Sequence, residues 1–152
     1  MPTQKLQDYL DQHEIQYVTI SHSPAYTAQR IAELTRIPGK ELAKTVIVKI
    51  DDELAMAVLP ASRRVNLQHL QEAIGADEVT LSSEAEFNEL FPDCEVGAMP
   101  PFGNLYNMGV YVAEQLTEDD EIAFNAGSHS ELVKMSYKDF ANLVTPQVVS
   151  LT

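Results

Sequence analysis

Hydrophobic and polar positions alternate most regularly over residues 42–59. Val46, Val48 and Ile50 are interleaved with Thr45, Ile47 and Lys49, and a period of two sends each set to its own face of a strand. A second apolar run follows Asp51 and Asp52, so the stretch reads as a β-hairpin folded about those two residues. Lys44 falls in register with Val46, Val48 and Ile50, the row expected to face the core. An ammonium there is costly to bury unpartnered, so it either snorkels out at the strand end or points into a polar pocket.

The flanking pattern predicts short elements. Leu6, Tyr9 and Leu10 have helical spacing within residues 3–13, and residues 16–20 form a strand rich in β-branched and aromatic side chains. Thr27 is an N-cap candidate for a helix through Ile31 and Leu34 that ends by Pro38-Gly39. Asn66 opens a helix containing Leu67, Leu70 and Ile74, which Gly75 closes. Ser83 and Glu86 form a capping box for a helix through Phe87, Leu90 and Phe91, stopped at Pro92. Strands are expected over 106–112, 121–124 and 131–135, and Ser136 with Asp139 opens a last helix over 137–144. No repeat, linker or low-complexity run interrupts this series, so residues 1–152 are expected to form a single domain. Short strands and helices without regular βαβ alternation predict an α+β (mixed α/β) fold. Its central sheet is largely antiparallel or mixed, surrounded by short helices.

Composition narrows the setting. Hydrophobic content of 45% with 22% charged residues suits a soluble globular chain, and no apolar run reaches the ~20 residues of a membrane span. The first eight residues lack the apolar stretch of a secretory signal, which points to the cytoplasm. A single cysteine, Cys94, excludes an internal disulfide and a multi-cysteine metal site. The net charge of −13 argues against binding a DNA duplex. The charge is uneven, however. Residues 22–49 carry Arg30, Arg36, Lys40, Lys44 and Lys49 against Glu33 and Glu41, a net of +3. Residues 50–133 carry Arg63 and Arg64 against seventeen acids, a net of −15. An acidic body with a small basic region suits a local phosphate or nucleic-acid terminus, or serves only solubility.

Two loops carry candidate chemistry. Residues 97–103 (Gly97-Ala98-Met99-Pro100-Pro101-Phe102-Gly103) are either a rigid pocket wall of backbone amides and carbonyls or a structural turn. Residues 125–130 (Asn125-Ala126-Gly127-Ser128-His129-Ser130) are a polar turn that either brings an imidazole, hydroxyls and an amide to a site or merely joins two strands. His13, His22 and His69 show no metal-ligand spacing. There is no G-x-S-x-G elbow, P-loop, dinucleotide fingerprint or H-E-x-x-H. Cys94 lies between Asp93 and Glu95, which would raise its thiol pKa and make it a poor nucleophile.

Lys44-Thr45 at a strand start, Gly97-x-x-x-Pro101 with Phe102-Gly103, and Phe124-Asn-Ala-Gly-Ser-His129 together resemble the YbaK-type aminoacyl-tRNA deacylase family, related to the editing insertion of bacterial prolyl-tRNA synthetase. The similarity runs over about residues 22–140 and includes Arg63-Arg64-Val65. The resemblance implies a free-standing trans-editing hydrolase of the ester joining a small, wrongly attached amino acid (Ala, Cys or Ser) to the 3′ end of tRNA. No protein nucleophile, metal or cofactor is implied; the mechanism positions water or uses the substrate's own 2′-hydroxyl. It implies catalytic roles for Lys44, Gly97 and His129. It also implies substrate or tRNA contacts from His22, Thr45, Pro101, Phe102, Gly103, Asn125, Gly127 and Ser128. Thr45 stands where alanyl-editing members carry asparagine, which leaves the amino acid open. So acidic a chain invites delivery by a synthetase or elongation factor. The alternative is a catalytically inactive module of the same fold acting through a protein partner.

Overall fold

The computed structural model describes residues 3–152. In chain order the elements are α1 (Gln4–Gln12), β1 (Tyr17–Ser21), α2 (Ala28–Thr35), β2 (Leu42–Ile50), β3 (Glu53–Pro60), α3 (Leu67–Ile74), β4 (Val79–Leu81), α4 (Glu84–Phe87), β5 (Gly109–Ala113), β6 (Glu121–Asn125), β7 (Glu131–Ser136), α5 (Tyr137–Val144) and β8 (Gln147–Val149). The strands form one eight-stranded sheet in the order β1-β7-β6-β2-β3-β5-β8, with β4 added beside β2. The β2/β6, β3/β5 and β5/β8 pairs are parallel and the rest antiparallel, so the sheet is mixed.

Local chemistry explains most boundaries. The side chains of Thr3, Thr27, Asn66 and Ser136 each accept a hydrogen bond from the amide three residues on, capping α1, α2, α3 and α5. Asp51 and Asp52 both take positive φ (47° and 70°), the conformation of a two-residue hairpin turn, and Gly75 closes α3 at φ 69°. The capping box is real, with the Glu86 carboxylate accepting from the Ser83 amide at 3.1 Å and hydroxyl at 3.0 Å. It supports only one α-turn, however. The chain tightens into a 3₁₀ turn over Asn88–Leu90 well before Pro92. Strands β4 and β8, three residues each, lie outside the sequence expectation, and β5 begins at Gly109 rather than at residue 106.

Both faces of the sheet are covered. On one face Ala43, Ile47, Met56, Val58, Val110 and Phe124 pack against Leu6 and Leu10 of α1 and Phe140 and Val144 of α5. Phe102 is fully buried here, its ring 5.5 Å from Phe140, 5.6 Å from Phe124 and 6.1 Å from Tyr9. The opposite face carries two smaller cores. Val48, Ala57 and Leu59 pack with Leu70 of α3, while Leu42, Ala123 and Leu132 pack with Ile31 of α2. The row that contains Lys44 therefore faces the smaller cores, and the larger core lies on the side of Thr45 and Ile47. Covering both faces is what removes a simple inside/outside reading from β3, whose residues from Ala55 to Pro60 are all buried.

Two stability predictions follow from this packing. Phe102→Ala should destabilise the fold by about 3–5 kcal/mol, read as a lowered urea midpoint with an unchanged slope. Glu86 is held down from 4.5 to about 2, first by the Lys49 ammonium 2.6 Å away and then by Ser83. Its folded value lies below its unfolded one, so the stabilisation is complete above pH 4.5 and fades as pH falls toward 2. Glu86→Gln should accordingly lower the urea midpoint at pH 7 and match the parent at pH 2.

Candidate active site

The site begins with the edge of β2. Parallel pairing with β6 ends at Ala43–Phe124, and antiparallel pairing with β4 begins at Val48–Leu81. Residues 44–47 therefore have no neighbouring strand on that edge. The Glu41 carbonyl accepts from Ala123 N–H and the Ile47 carbonyl from Ser82 N–H, so alternate residues turn their main-chain groups this way. Thr45 shares their parity and presents its amide and carbonyl to the gap, while its side chain shares the face of Ile47 and Val58. Lys44 projects from the other face, half-buried between the α2 and α3 cores. Of the two readings of Lys44, the structure shows a polar pocket.

Three loops meet at the end of the β2/β6 pair. Gly127 donates to the Ala98 carbonyl at 2.8 Å and accepts from Glu95 at 2.7 Å, which ties residues 95–98 to the β6–β7 turn. His22 and Ala25 amides donate to the carbonyls of Ser130 and His129, which ties residues 22–25 to the same turn. Gly127 has φ +104°, and a Cβ there would run into the Thr3 methyl. Gly97 has φ +84°, a conformation that favours glycine, and a Cβ would sit 3.6 Å from the His129 ring.

Hydrogen bonding fixes the imidazoles. His129 Nε2 lies 2.7 Å from the Val96 carbonyl, and His22 Nδ1 lies 2.7 Å from the Ser23 carbonyl. A carbonyl only accepts, so both nitrogens carry a proton, and the second nitrogen of each neutral ring offers a lone pair. His129 Nδ1, His22 Nε2 and Asn125 Oδ1 are buried without a partner, three of the four such side-chain atoms among the described residues. Buried orphans of this kind are rare and mark places where a ligand or water is accommodated. Tyr26, 74% exposed, lies against His129 with ring centroids 4.7 Å apart and planes tilted by 47°. Ser128 and Ser130 hydroxyls lie 3.4 Å apart beside it.

The site residues expected from sequence thus divide. Lys44, the Thr45 backbone, Gly97, Asn125, Gly127, Ser128, His129 and His22 border one end of the sheet. Pro101, Phe102 and Gly103 lie apart from that group. All three are buried, Phe102 in the main core, and a Cβ on Gly103 would meet the Met108 carbonyl oxygen at 2.5 Å. Their packing anchors the loop. Tyr26 and Val96 were not singled out from sequence. An exposed tyrosine beside a helix cap was the only available signal.

Electrostatics separate the possible reactive groups. Burial and the neighbouring Arg64 guanidinium hold the Lys44 pKa below the ordinary lysine range. Burial pushes the Cys94 thiol up to about 12, so its thiolate is scarce at neutral pH. Among the described residues no group of three or more His, Cys, Asp or Glu side chains could hold a metal ion.

A family model described as the aminoacyl-tRNA editing domain matches residues 22–143, most of the chain. That match defines the class, the ester hydrolases that deacylate aminoacyl-tRNA. The chain belongs to the aminoacyl-tRNA editing domain family. Among relatives, the multifunctional Ser/Thr-tRNA deacylase ProXp-y of Escherichia coli (strain K12) is 28% identical, covering 97% of this chain and 90% of its own length. A proline–tRNA ligase of Halalkalibacterium halodurans is 32% identical over 51% of this chain and 13% of the ligase. The solved structure of hypothetical protein APE2540 superposes with a TM-score of 0.86 at 21% identity, covering 97% of this chain and 99% of that one. A proposed trans-editing enzyme for prolyl tRNA synthetase gives 0.81 at 20% identity, covering 97% and 94%.

Two measurements probe this site. In lysine ¹³C-methylation NMR, one resonance should titrate below the others, and Arg64→Gln should move it upward without restoring it fully, because burial remains. Cys94 should resist iodoacetamide at pH 8 in the folded protein and react on unfolding, and Cys94→Ala should keep full activity.

Proposed function

We propose that the chain is a free-standing, single-domain trans-editing enzyme that removes a small amino acid from the 3′ end of mischarged tRNA. The observation that carries this reading is the interrupted edge of β2. It leaves the Thr45 amide unpaired next to the half-buried Lys44, on the strand whose parallel partner β6 leads into the His129 turn. An acyl ester already has a good leaving group, so orientation and polarisation of its carbonyl suffice. Lys44 supplies positive charge to the ester or its ribose. Gly97 lets the backbone approach, with the Val96 carbonyl holding His129 in place.

His129, as the Nε2–H tautomer, offers Nδ1 as an acceptor that orients the attacking water or the substrate 2′-hydroxyl. His22, Asn125 and Ser128 line the same region, the orphan atoms of His22 and Asn125 awaiting donors. The water oxygen forms the new bond to the acyl carbon, the ribose oxygen leaves with the ester electrons, and the water's proton passes to that oxygen. The raised thiol pKa of Cys94 fits a mechanism without a protein nucleophile.

Alanine, cysteine and serine remain the amino acids of suitable size, and the named activity of the Escherichia coli relative supports serine among them and adds threonine. Cytoplasmic tRNA is the substrate pool, with a synthetase or elongation factor as delivery partner for so acidic a protein. A panel of alanyl-, cysteinyl-, seryl- and threonyl-tRNAs tests the proposal. Wild type should hydrolyse a subset, and Lys44→Ala should cut kcat/KM on that subset by about 10²–10³-fold. Undiminished turnover in Lys44→Ala would sink the reading.

A further inference from the structure

Behind Lys44 lies a pocket of about 270 Å³ lined by Thr27, Gln29, Lys44, Ala61, Ser62, Arg63 and Arg64. Three of the ten basic side chains of a protein with net charge −13 meet there. No carboxylate lines the pocket, and among the described residues none of the three forms an ion pair. Like charges brought together without a counter-charge repel, and elsewhere this chain supplies acids freely, as at Lys49–Glu86 and Arg30–Glu33. The scaffold beneath is tied down. Ala61 donates to the Leu42 carbonyl at 2.7 Å and Arg63 to the Pro60 carbonyl at 3.0 Å, fixing the turn against the start of β2.

We infer that this pocket binds a phosphodiester of the substrate strand adjoining the nucleotide that carries the ester. Arg63 and Arg64 are its anchors, Thr27 and Gln29 its neutral partners, and Lys44 the bridge to the reacting end. The inference rests on the deacylase reading and assigns residues that reading leaves idle. Guanidinium groups match phosphate oxygens as paired donors, which a lysine does not. The acidic remainder of the chain repels further backbone, so only a strand end is accepted.

The test reads binding and turnover separately. In amide NMR titrations, adenosine 5′-monophosphate should shift Thr27–Gln29 and Ala61–Arg64. Adenosine should not, and an Arg63→Gln/Arg64→Gln variant, both sites being exposed and tolerant, should lose the response. With cognate aminoacyl-tRNA the variant should raise KM about tenfold, hold kcat within about twofold, and flatten the salt dependence by about one unit per arginine. Equal shifts from inorganic phosphate at the same concentration would assign the pocket to free phosphate and overturn the inference. So would hydrolysis with unchanged KM in the variant. Shifts that persist in a protein without deacylase activity would overturn the enzymatic reading and keep the pocket.

Discussion

One edge of β2 is shared between two partners that run in opposite directions, β6 parallel over Leu42–Ala43 and β4 antiparallel over Val48–Ile50. A parallel and an antiparallel neighbour cannot merge, and the four residues between them keep a bare edge. The strand itself is held rigid by the full β3 ladder on its other side, from Ala43–Pro60 to Ile50–Glu53. Lys44 and the Thr45 amide are thereby held at fixed positions without any loop flexibility. A reactive cleft built on a strand is more exactly held than one built on a loop, and here the loops need only close around it.

The loops are themselves pinned by main-chain contacts to the β6–β7 turn. The unpartnered His22 and His129 nitrogens and the Asn125 oxygen are the local cost, because buried polar atoms without protein partners are unfavourable. The compensation lies in the large core on the far side of the sheet, where Phe102, Phe124 and Phe140 interlock. The core and the proposed site are thus reached from the two ends of one loop. Gly97 meets His129, whereas Phe102 fills the core.

Much of this was legible in the chain. The caps at Thr27, Asn66 and Ser136, the Asp51-Asp52 turn and the odd register of Lys44 all follow from local chemistry and period-two alternation, which act within a few residues. The short strands β4 and β8 were not legible, because three residues carry no usable period and their pairing depends on a partner far along the chain. The same limit hid the bare edge, which exists only through two long-range pairings. Nor was the burial of Phe102 legible, because its partners Phe124 and Phe140 lie far along the chain.

The cleft draws on distant parts of the chain. β2 comes from its first third, the Val96–Ala98 segment from its middle, and the His129 turn from near its end. Thr3 N–H closes the circle by donating to the Ala126 carbonyl at 3.0 Å. No contiguous fragment holds the constellation, and non-local pairings of this kind form late and slowly in folding. A partly synthesised or partly unfolded chain therefore has no half-built cleft, and catalytic competence and completion of the fold arrive in the same step.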